Sequence, residues 1–482
     1  MEQGENLKVV TRFAPSPTGF LHVGNIRTAI FAYLWAKKNN GTFLLRIEDT
    51  DKDREVVGAI DRLKEALLWL GVRWDHGPDV GGPHAPYFQS ERLDIYKKYA
   101  LKLIEAGFAY PDPFTEDDVD ILRQKAELEK RPFLYREHRG ESTESWDGTK
   151  PLRFKIPEIK QTNWQDIVFG DLSAGPEALD DFILIKSDGY PTYNFAHIVD
   201  DIEMGVTHVM RGTEFIASTP KFLAVYEALG QKPPTFVSLP HIMAPSGKKK
   251  LSKRDGAKDL LEYRDEGYLS QAMFNFLAML GWHPRDDKEV FTQDELVQEF
   301  DIKRIQKAGA TMNDEKLDWF NKEHIRKLKG EELESFVFSF LTDELKKLPS
   351  DVQKRMTPMI SERITKGNDI KDLSSKGEFD FLLREPEVTD DKLQYKNTDM
   401  KQIKFHLEES KKLLESIPEP DFNYDKIKDI LLHYADTLPS RGELLHPVRF
   451  ALSGQDRSPD PFIIATVLGK NETIKRLQKV LA

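Results

Sequence analysis

Cysteine is absent from the 482 residues. That excludes disulfides and every thiolate metal site, and it suits a reducing compartment. Long apolar runs are missing too, so no bilayer-spanning helix is expected. The opening "MEQGENLKVVTRF" carries acids and no apolar core. Neither a secretory nor a transit peptide is therefore expected, and the cytoplasm is the expected location. Positive charge is not in surplus: 70 basic side chains face 81 acidic ones, a net charge of -11. This balance argues against indiscriminate nucleic-acid binding, but it leaves room for a nucleic acid held by local basic patches. There is no Walker-type G-x-x-x-x-G-K-[ST] loop and no Ser-His-Asp or Cys-His grouping, which excludes P-loop chemistry and an activated side-chain nucleophile. Repeats and long low-complexity segments are also lacking.

What is present reads as a soluble protein of several domains, 39% hydrophobic and 31% charged. "KVVTRF" (8–13) is continuous and β-branched, as a buried strand is. After it, Ile26, Ala29, Ile30, Tyr33 and Leu34 share one helical face, and Asn39, Asn40 and Gly41 stop that helix. "TFLLRI" (42–47) is the next strand, so the unit is βαβ, parallel and right-handed. A second helix is expected over 57–70. The alternation returns with "DFILIK" (181–186), "THVMR" (207–211), a Ser/Thr-capped helix in "STPKFLAVYEALG" (218–230) and the extended "TFVSLPHIM" (235–243). Between the halves, 110–180 differs: a charged helix in "TEDDVDILRQKAELEK" and short strands in "LRFKIP" and "DIVFGDL" suggest an inserted subdomain. From about 325 strand signals thin out. Segments such as "KFHLEESKKLLESI" then indicate an all-helical second half.

Three places carry chemistry. The stretch "FAPSPTGFLHVGNIRTAIFAYLWAKK" (13–38) puts a stiff, small loop at the carboxyl end of a strand and ahead of a helix N-terminus. Ligands of open parallel sheets bind there, and the unpaired N–H groups suit phosphate. Gly24 admits a nucleotide close to the backbone, and His22 can bond a phosphate; the competing reading is a rigid turn with a structural histidine. In "KKKLSKRDGA" (248–257), Lys250 and Lys253 flank Ser252 and suit a reaction that builds charge on phosphate. Taken in isolation, a solvated basic loop explains them as well. Finally, Arg12, Glu48 and Arg211 end three separate strands and should surround one crevice. Two guanidinium groups imply a carboxylate ligand and the single carboxylate an ammonium, as in an acidic amino acid. The competitor is a pair of rim ion pairs, Arg12 with Glu48. If the substrate supplies its own carboxylate nucleophile, positioning and charge stabilisation suffice.

Together these stretches resemble the class I aminoacyl-tRNA synthetases, with "HVGN" similar to their HIGH signature and "KLSKR" to KMSKS. The resemblance is closer to the bacterial-type glutamyl-tRNA synthetase family. "RFAPSPTGFLHVGNIRTA", "LLRIEDTDKDR", "PYFQSERLDIY", "LIKSDGYPTYNFAHIVDD", "HVMRGTEFIASTPKF", "KKKLSKRDGA", "KLDWFNKEHIRKL" and "RGELLHPVRFALSG" follow that family in order, over nearly the whole chain. Glutaminyl-tRNA synthetases share the core but carry β-barrels where this chain reads helical. The resemblance implies an α/β fold: a Rossmann-type parallel-sheet catalytic domain with an α+β insert, followed by an all-helical anticodon-binding half. It implies a first Rossmann half over 1–111, an acceptor-stem-binding insert over 112–180 and a second Rossmann half over 181–245. The KLSKR loop and a helical stem-contact domain would fill 246–324, and the anticodon-binding domain 325–482.

The implied activity is ligation of L-glutamate to tRNA-Glu through glutamyl-adenylate, with ATP and its Mg²⁺, in a monomer without membrane contact. Carried over by motif, Arg12, Ser16, Glu48, Tyr193 and Arg211 would hold glutamate. His22, Gly24 and Asn25 would meet ATP, and Lys250, Ser252, Lys253 and Arg254 would close over its phosphates, with His22, Lys250 and Lys253 catalytic. Two departures stand out. Many relatives carry a Cys-rich zinc site in the insert, where "AYPDPFTEDD" here has Pro111 and Pro113. No zinc is expected, and packing should hold the local hairpin instead. His197 stands where some relatives have Asn, either as a substrate contact whose charge follows pH or as an ordinary supporting histidine. Charging of tRNA-Gln is left open. So is a tRNA-modifying paralogue, against which the long helical segment argues, and a non-catalytic tRNA-binding protein, against which the retained His22, Lys250 and Lys253 argue. Arg363 is a weak candidate for a base contact and reads more simply as a surface arginine.

Because Lys253 is assigned to charge that develops during reaction, Lys253→Ala is expected to lower the rate of glutamate activation far more than it weakens ATP binding. Single-turnover kinetics at varied ATP check this; a variant with intact rate and weak ATP binding would reassign the residue to the ground state.

Overall fold

The computed structural model describes residues 8–19, 23–139, 145–251 and 258–482. It divides into two compact units. The first holds the described residues up to Arg264 together with Ser270–Leu317; the second holds Asp265–Leu269 and Asp318–Ala482.

The first unit is built on a six-stranded sheet. Strand β1 (Val10–Phe13) pairs in parallel with β2 (Thr42–Leu45), Val10 opposite Thr42 and Phe13 opposite Leu45. Helix α1 (Val23–Lys38) makes the crossover expected from the sequence. All four residues of β2 are buried although it ends the sheet order, as in a parallel sheet covered on both faces. Helix α2 (Ala59–Trp69) follows, slightly shorter than expected, and then α3 (Leu93–Glu105). The remaining strands are β3 (Ala109–Pro111), β4 (Leu152–Phe154), β5 (Thr162–Asp166), β6 (Gly170–Ala174), β7 (Phe182–Ile185), β8 (His208–Gly212), β9 (Thr235–Leu239), β10 (Ile242–Met243) and β11 (Ala310–Thr311). The sheet order is β2-β1-β8-β9-β5-β6. Since β2 and β8 flank β1 on opposite sides, the chain leaves β1 both ways, and a crevice opens at the carboxyl ends of these strands.

Two sequence expectations are corrected here. The strand at 181–186 forms as β7, but it pairs antiparallel with β4 in a separate sheet ordered β3-β4-β7 and does not enter the parallel sheet. Four consecutive apolar residues identify a buried strand without identifying its partner. The stretch "DIVFGDL", expected as one short strand, is the tip of a hairpin: Asp166 ends β5, 167–169 turn, and Gly170 opens β6. The buried Asp166 carboxylate accepts from Val168 N at 2.9 Å and Phe169 N at 3.0 Å, which folds the chain back, and from Ser238 N at 2.9 Å, which docks the turn on β9. The hairpin β5–β6 thereby extends the main sheet from inside the region read as an insert.

The insert's helix α4 (Glu116–Leu128) starts at a capping box in which Thr115 and Asp118 satisfy each other's backbone N–H. At its base the expected packing is present, with Ala109, Leu152, Phe154, Ile156 and Phe182 in one buried apolar cluster, and buried ion pairs are added to it. Buried Asp112 accepts from Arg153 Nε at 3.0 Å and Nη2 at 2.5 Å and from the Tyr135 hydroxyl, while the Arg153 guanidinium lies 3.4 Å from the Tyr135 ring centroid. Nearby Asp181 accepts from Arg139 Nε and Nη2, each at 2.6 Å, from the Tyr110 hydroxyl at 2.8 Å and from Ile156 N at 3.0 Å.

The second unit is helical throughout, with Ile360, Leu407, Leu431, Val448, Ile464 and Leu477 in one fully buried core. Arg363 ends the helix Ser350–Arg363 and bonds Glu378 at 2.8 Å, as an ordinary surface arginine does.

Asp112→Ala would strand the buried Arg153 charge. A loss of about 3–5 kcal/mol in the stability of the first unit is expected, measured by urea denaturation. A change within the scatter of surface substitutions would remove the ion pair from the forces holding the insert.

Candidate active site

At the carboxyl ends of β1, β8 and β9 lies a cleft of about 360 Å³. Of the twelve residues assigned from the sequence, His22, Ser252, Lys253 and Arg254 lie outside the described residues. The other eight, Arg12, Ser16, Gly24, Asn25, Glu48, Tyr193, Arg211 and Lys250, all line this one cleft. They come from β1 and the loop after it, the first turn of α1, the continuation of β2, the start of α5 (Tyr193–Glu203), the end of β8 and the turn after β10. His197 lies behind them: it is buried, it donates from Nδ1 to Tyr193 O at 2.6 Å, and its ring stacks on that of Tyr193 at 4.6 Å.

The rim pair Arg12–Glu48 does not occur. Arg12 Nε donates to Asp201 Oδ1 at 3.1 Å, and Glu48 is taken by Arg46 Nη2 at 3.1 Å. Arg46 Nη1 also donates to Asp201 Oδ1 at 2.9 Å, so Asp201 joins the two arginines. Its neighbour Asp200 accepts from Arg92 Nε at 2.7 Å, Gln89 at 2.8 Å and Tyr96 at 2.9 Å. Arg46, Asp200 and Asp201 escaped the sequence reading, although signals existed. Arg46 and Glu48 are two residues apart along an extended chain and so share a face. "HIVDD" places two acids in an otherwise apolar helix. Arg211 differs from its neighbours. It is buried, donates to Thr219 Oγ1 at 3.0 Å and lies 4.8 Å from the Phe222 ring and 5.1 Å from that of Phe236. Among the described residues no carboxylate pairs with it. The Ser/Thr cap expected for α6 (Thr219–Ala228) makes no side-chain capping bond: Ser218 takes the N-cap position without one, and Thr219 instead orients this guanidinium.

Residues 8–319 match the family model described as tRNA synthetases class I (E and Q), catalytic domain. The chain belongs to this family of class I synthetases. Residues 299–481 match the model described as an anticodon binding domain. The synthetase is 41% identical to a glutamate–tRNA ligase of Clostridium botulinum (strain Hall), across 98% of this chain and 97% of that one. To a glutamate–tRNA ligase of Clostridium acetobutylicum it is 39% identical, across 98% of each chain. Among solved structures, a glutamate tRNA ligase from Elizabethkingia meningosepticum in complex with its amino acid superposes with a TM-score of 0.83 at 36% identity, covering 98% of this chain and 99% of that one.

Burial sets the electrostatics of the synthetase's cleft. It pushes the Glu48 carboxyl up to about 7, outweighing the pull of Arg46 and Arg12. Burial also acts on Asp201, but there Arg12 and Arg46 win and hold it at about 2. Arg46 loses some stabilisation of its charge to burial and regains more from Asp201, Asp200 and Glu48, so its pKa rises. Burial lowers the Arg211 pKa and raises that of Tyr193. It also drives His197 down to about 3, so this histidine stays neutral at physiological pH and cannot follow pH there as the sequence suggested.

An unfolded glutamate carboxyl titrates near 4.5 and Glu48 in the folded chain at about 7, so between these values the folded chain keeps a proton the unfolded chain has released. Through this group, the stability of the ligand-free enzyme falls as pH rises across that window. Glu48→Gln removes the slope, while His197 titrates alike in both chains and cancels. Denaturation at pH 5 and pH 8 is expected to show the variant gaining up to about 3 kcal/mol on the parent at the higher pH. An equal difference at both pH values would mean that Glu48 titrates normally.

Proposed function

We propose that this synthetase joins L-glutamate to tRNA-Glu with ATP. The substrate's α-carboxylate attacks the α-phosphorus, the bond to the β-phosphate oxygen breaks, and pyrophosphate leaves; a hydroxyl of the tRNA's terminal adenosine then attacks the acyl carbon and AMP leaves. In this reading Arg12 and Arg211 receive the side-chain carboxylate, Glu48 the ammonium, and Ser16 and Tyr193 complete the amino-acid end. Gly24 and Asn25 adjoin ATP, as His22 would. Lys250, Ser252, Lys253 and Arg254 act on its phosphates, and Mg²⁺ arrives on those phosphates as part of the substrate. The acceptor end of tRNA meets the insert and its anticodon the helical unit. The enzyme works as a cytoplasmic monomer, and no helix among the described residues is long and apolar enough to cross a membrane.

One observation carries the amino-acid assignment. In the buried ion-paired network at that end, Arg12, Arg46 and Arg92 share three carboxylates, Glu48, Asp200 and Asp201, and the buried Arg211 stands beside them as a fourth guanidinium outside any ion pair among the described residues. The surplus is one positive charge, sited where Arg211 has no carboxylate partner among the described residues. L-Glutamate brings one net negative charge and cancels it, whereas glutamine, net neutral, leaves it buried and unpaired. The ligand's ammonium also returns Glu48 to its ionised form.

Aminoacylation of purified tRNA-Glu and tRNA-Gln with glutamate and with glutamine is the direct test. Glutamate on tRNA-Glu is expected and glutamine on neither; glutamine used as readily as glutamate would end the charge argument, and the tRNA-Gln arm separates strict from dual charging. Arg211→Ala is expected to raise the glutamate KM by about 10- to 100-fold, the loss of a charge-assisted bond of about 1.5–3 kcal/mol. Normal glutamate kinetics would take Arg211 out of the site.

A further inference from the structure

One cation of the cleft has no part in the steps above. Arg27 stands on α1, about one turn beyond Gly24, and is 3% exposed. Its Nη1 donates to Leu280 O at 3.3 Å and its Nη2 to Pro240 O, while Nε is buried with no hydrogen-bond partner. The guanidinium carbon lies 5.7 Å from the Phe31 ring centroid. Each of these partners is neutral, and no carboxylate pairs with Arg27 among the described residues. The acid acting on it through space, Glu214, already takes Lys250 Nζ at 3.3 Å and has His241 Nδ1 at 3.7 Å. Burial lowers the Arg27 pKa to about 10, which still leaves it charged at neutral pH.

A buried charge bonded only to carbonyls is expensive to keep unless an opposite charge arrives. Arg27 lines the same cleft as Gly24, Asn25 and Lys250, the residues that the ligase reading gives to ATP and its phosphates. Its two carbonyl bonds also fix it: Pro240 directly follows β9, and Leu280 follows the helix Ser270–Met279, so three elements converge on one guanidinium.

We propose that Arg27 is a positioning residue for the phosphates: a fixed, buried cation that draws the ATP triphosphate, and the pyrophosphate as it departs, toward the first turn of α1. This rests on the ligase reading. It assigns Arg27 a role distinct from that of the lysines, since Arg27 is immobile and acts before reaction begins.

The test compares Arg27→Gln, which removes the charge, with Arg27→Lys, which keeps it. Two quantities are read: glutamate-dependent ATP–pyrophosphate exchange in the presence of tRNA-Glu, and the rise in melting temperature on adding magnesium pyrophosphate to the protein alone. Arg27→Gln is expected to lower kcat/KM for ATP by about tenfold or more and to lose most of the pyrophosphate-induced rise, and Arg27→Lys to keep exchange within about threefold and retain the rise. Equal losses in both variants with equally lowered ligand-free melting would make Arg27 a clamp only and overturn the proposal, as would unchanged exchange in Arg27→Gln. Should Arg27→Gln not fold, a folded Arg27→Lys without the pyrophosphate-induced rise overturns it, and one that retains the rise supports it. Parent enzyme without exchange sinks the ligase reading; the pyrophosphate shift, read on the protein alone, still decides for or against Arg27.

Discussion

The Asp201 carboxylate is the point on which the amino-acid end of the cleft depends. One oxygen receives Arg12 from β1 and Arg46 from the segment after β2, while the residue itself sits on α5. Three elements far apart in sequence thus meet at one atom. Asp200, next along the helix, ties the same turn to Arg92 and Tyr96 on the far side. Buried separately, any one of these ions would cost several kcal/mol. Buried together with their hydrogen bonds filled, they cost far less, and their return is fixity more than stability. Arg12 and Glu48 are held in place by partners that are themselves held, so a ligand meets charges already arranged.

The two ends of the cleft answer different demands. Recognition of an amino acid needs charges that do not relax, and that end is dry and tightly bonded: Arg12, Glu48 and Arg211 are each under 10% exposed. Moving charge from an attacking oxygen to departing pyrophosphate needs cations that can follow it. Lys250, with half its side chain exposed and a long bond to Glu214, has that freedom. Arg27 lies between these extremes, as buried as the first set but placed with the second.

The unit β1–α1–β2 could be read from the sequence because local rules agree there. The strands are rich in apolar and β-branched residues, the helix shows one apolar face, and Gly41 stands where a Cβ would come within 2.2 Å of Val9 O. Given parallel strands, the convergence of Arg12, Glu48 and Arg211 followed from topology alone, since each lies at or just past the carboxyl end of a strand. Contacts set by distant partners were not legible. Arg46 finds Asp201 across 155 residues, and no local pattern foretells that choice over the Arg12–Glu48 pair. The same holds for β7, whose four apolar residues suit either sheet, and for Thr219, whose place at the start of a helix hid its use in orienting Arg211. Asp166 was legible as part of a strand, but not its use in folding a turn and docking it on β9, which depends on Ser238, 72 residues away.

The insert offers an internal comparison that separates a structural ion network from one built for a ligand. Both sites bury arginine–aspartate pairs, both recruit tyrosine hydroxyls, and both join segments distant in sequence. In the insert, Asp112 and Asp181 face Arg153 and Arg139, and the charges balance. Such a cluster is complete, and it can close the base of the insert in a chain that has no cysteine for a metal. At the cleft the sum does not close: one guanidinium remains, and Arg211, caged by aromatic rings and a hydroxyl, is the one without a counter-charge among the described residues. Proximity of opposite charges therefore does not distinguish the two places, and neither does burial. The residual charge does, because a folded chain has reason to keep an unbalanced ion dry only where something else arrives to balance it.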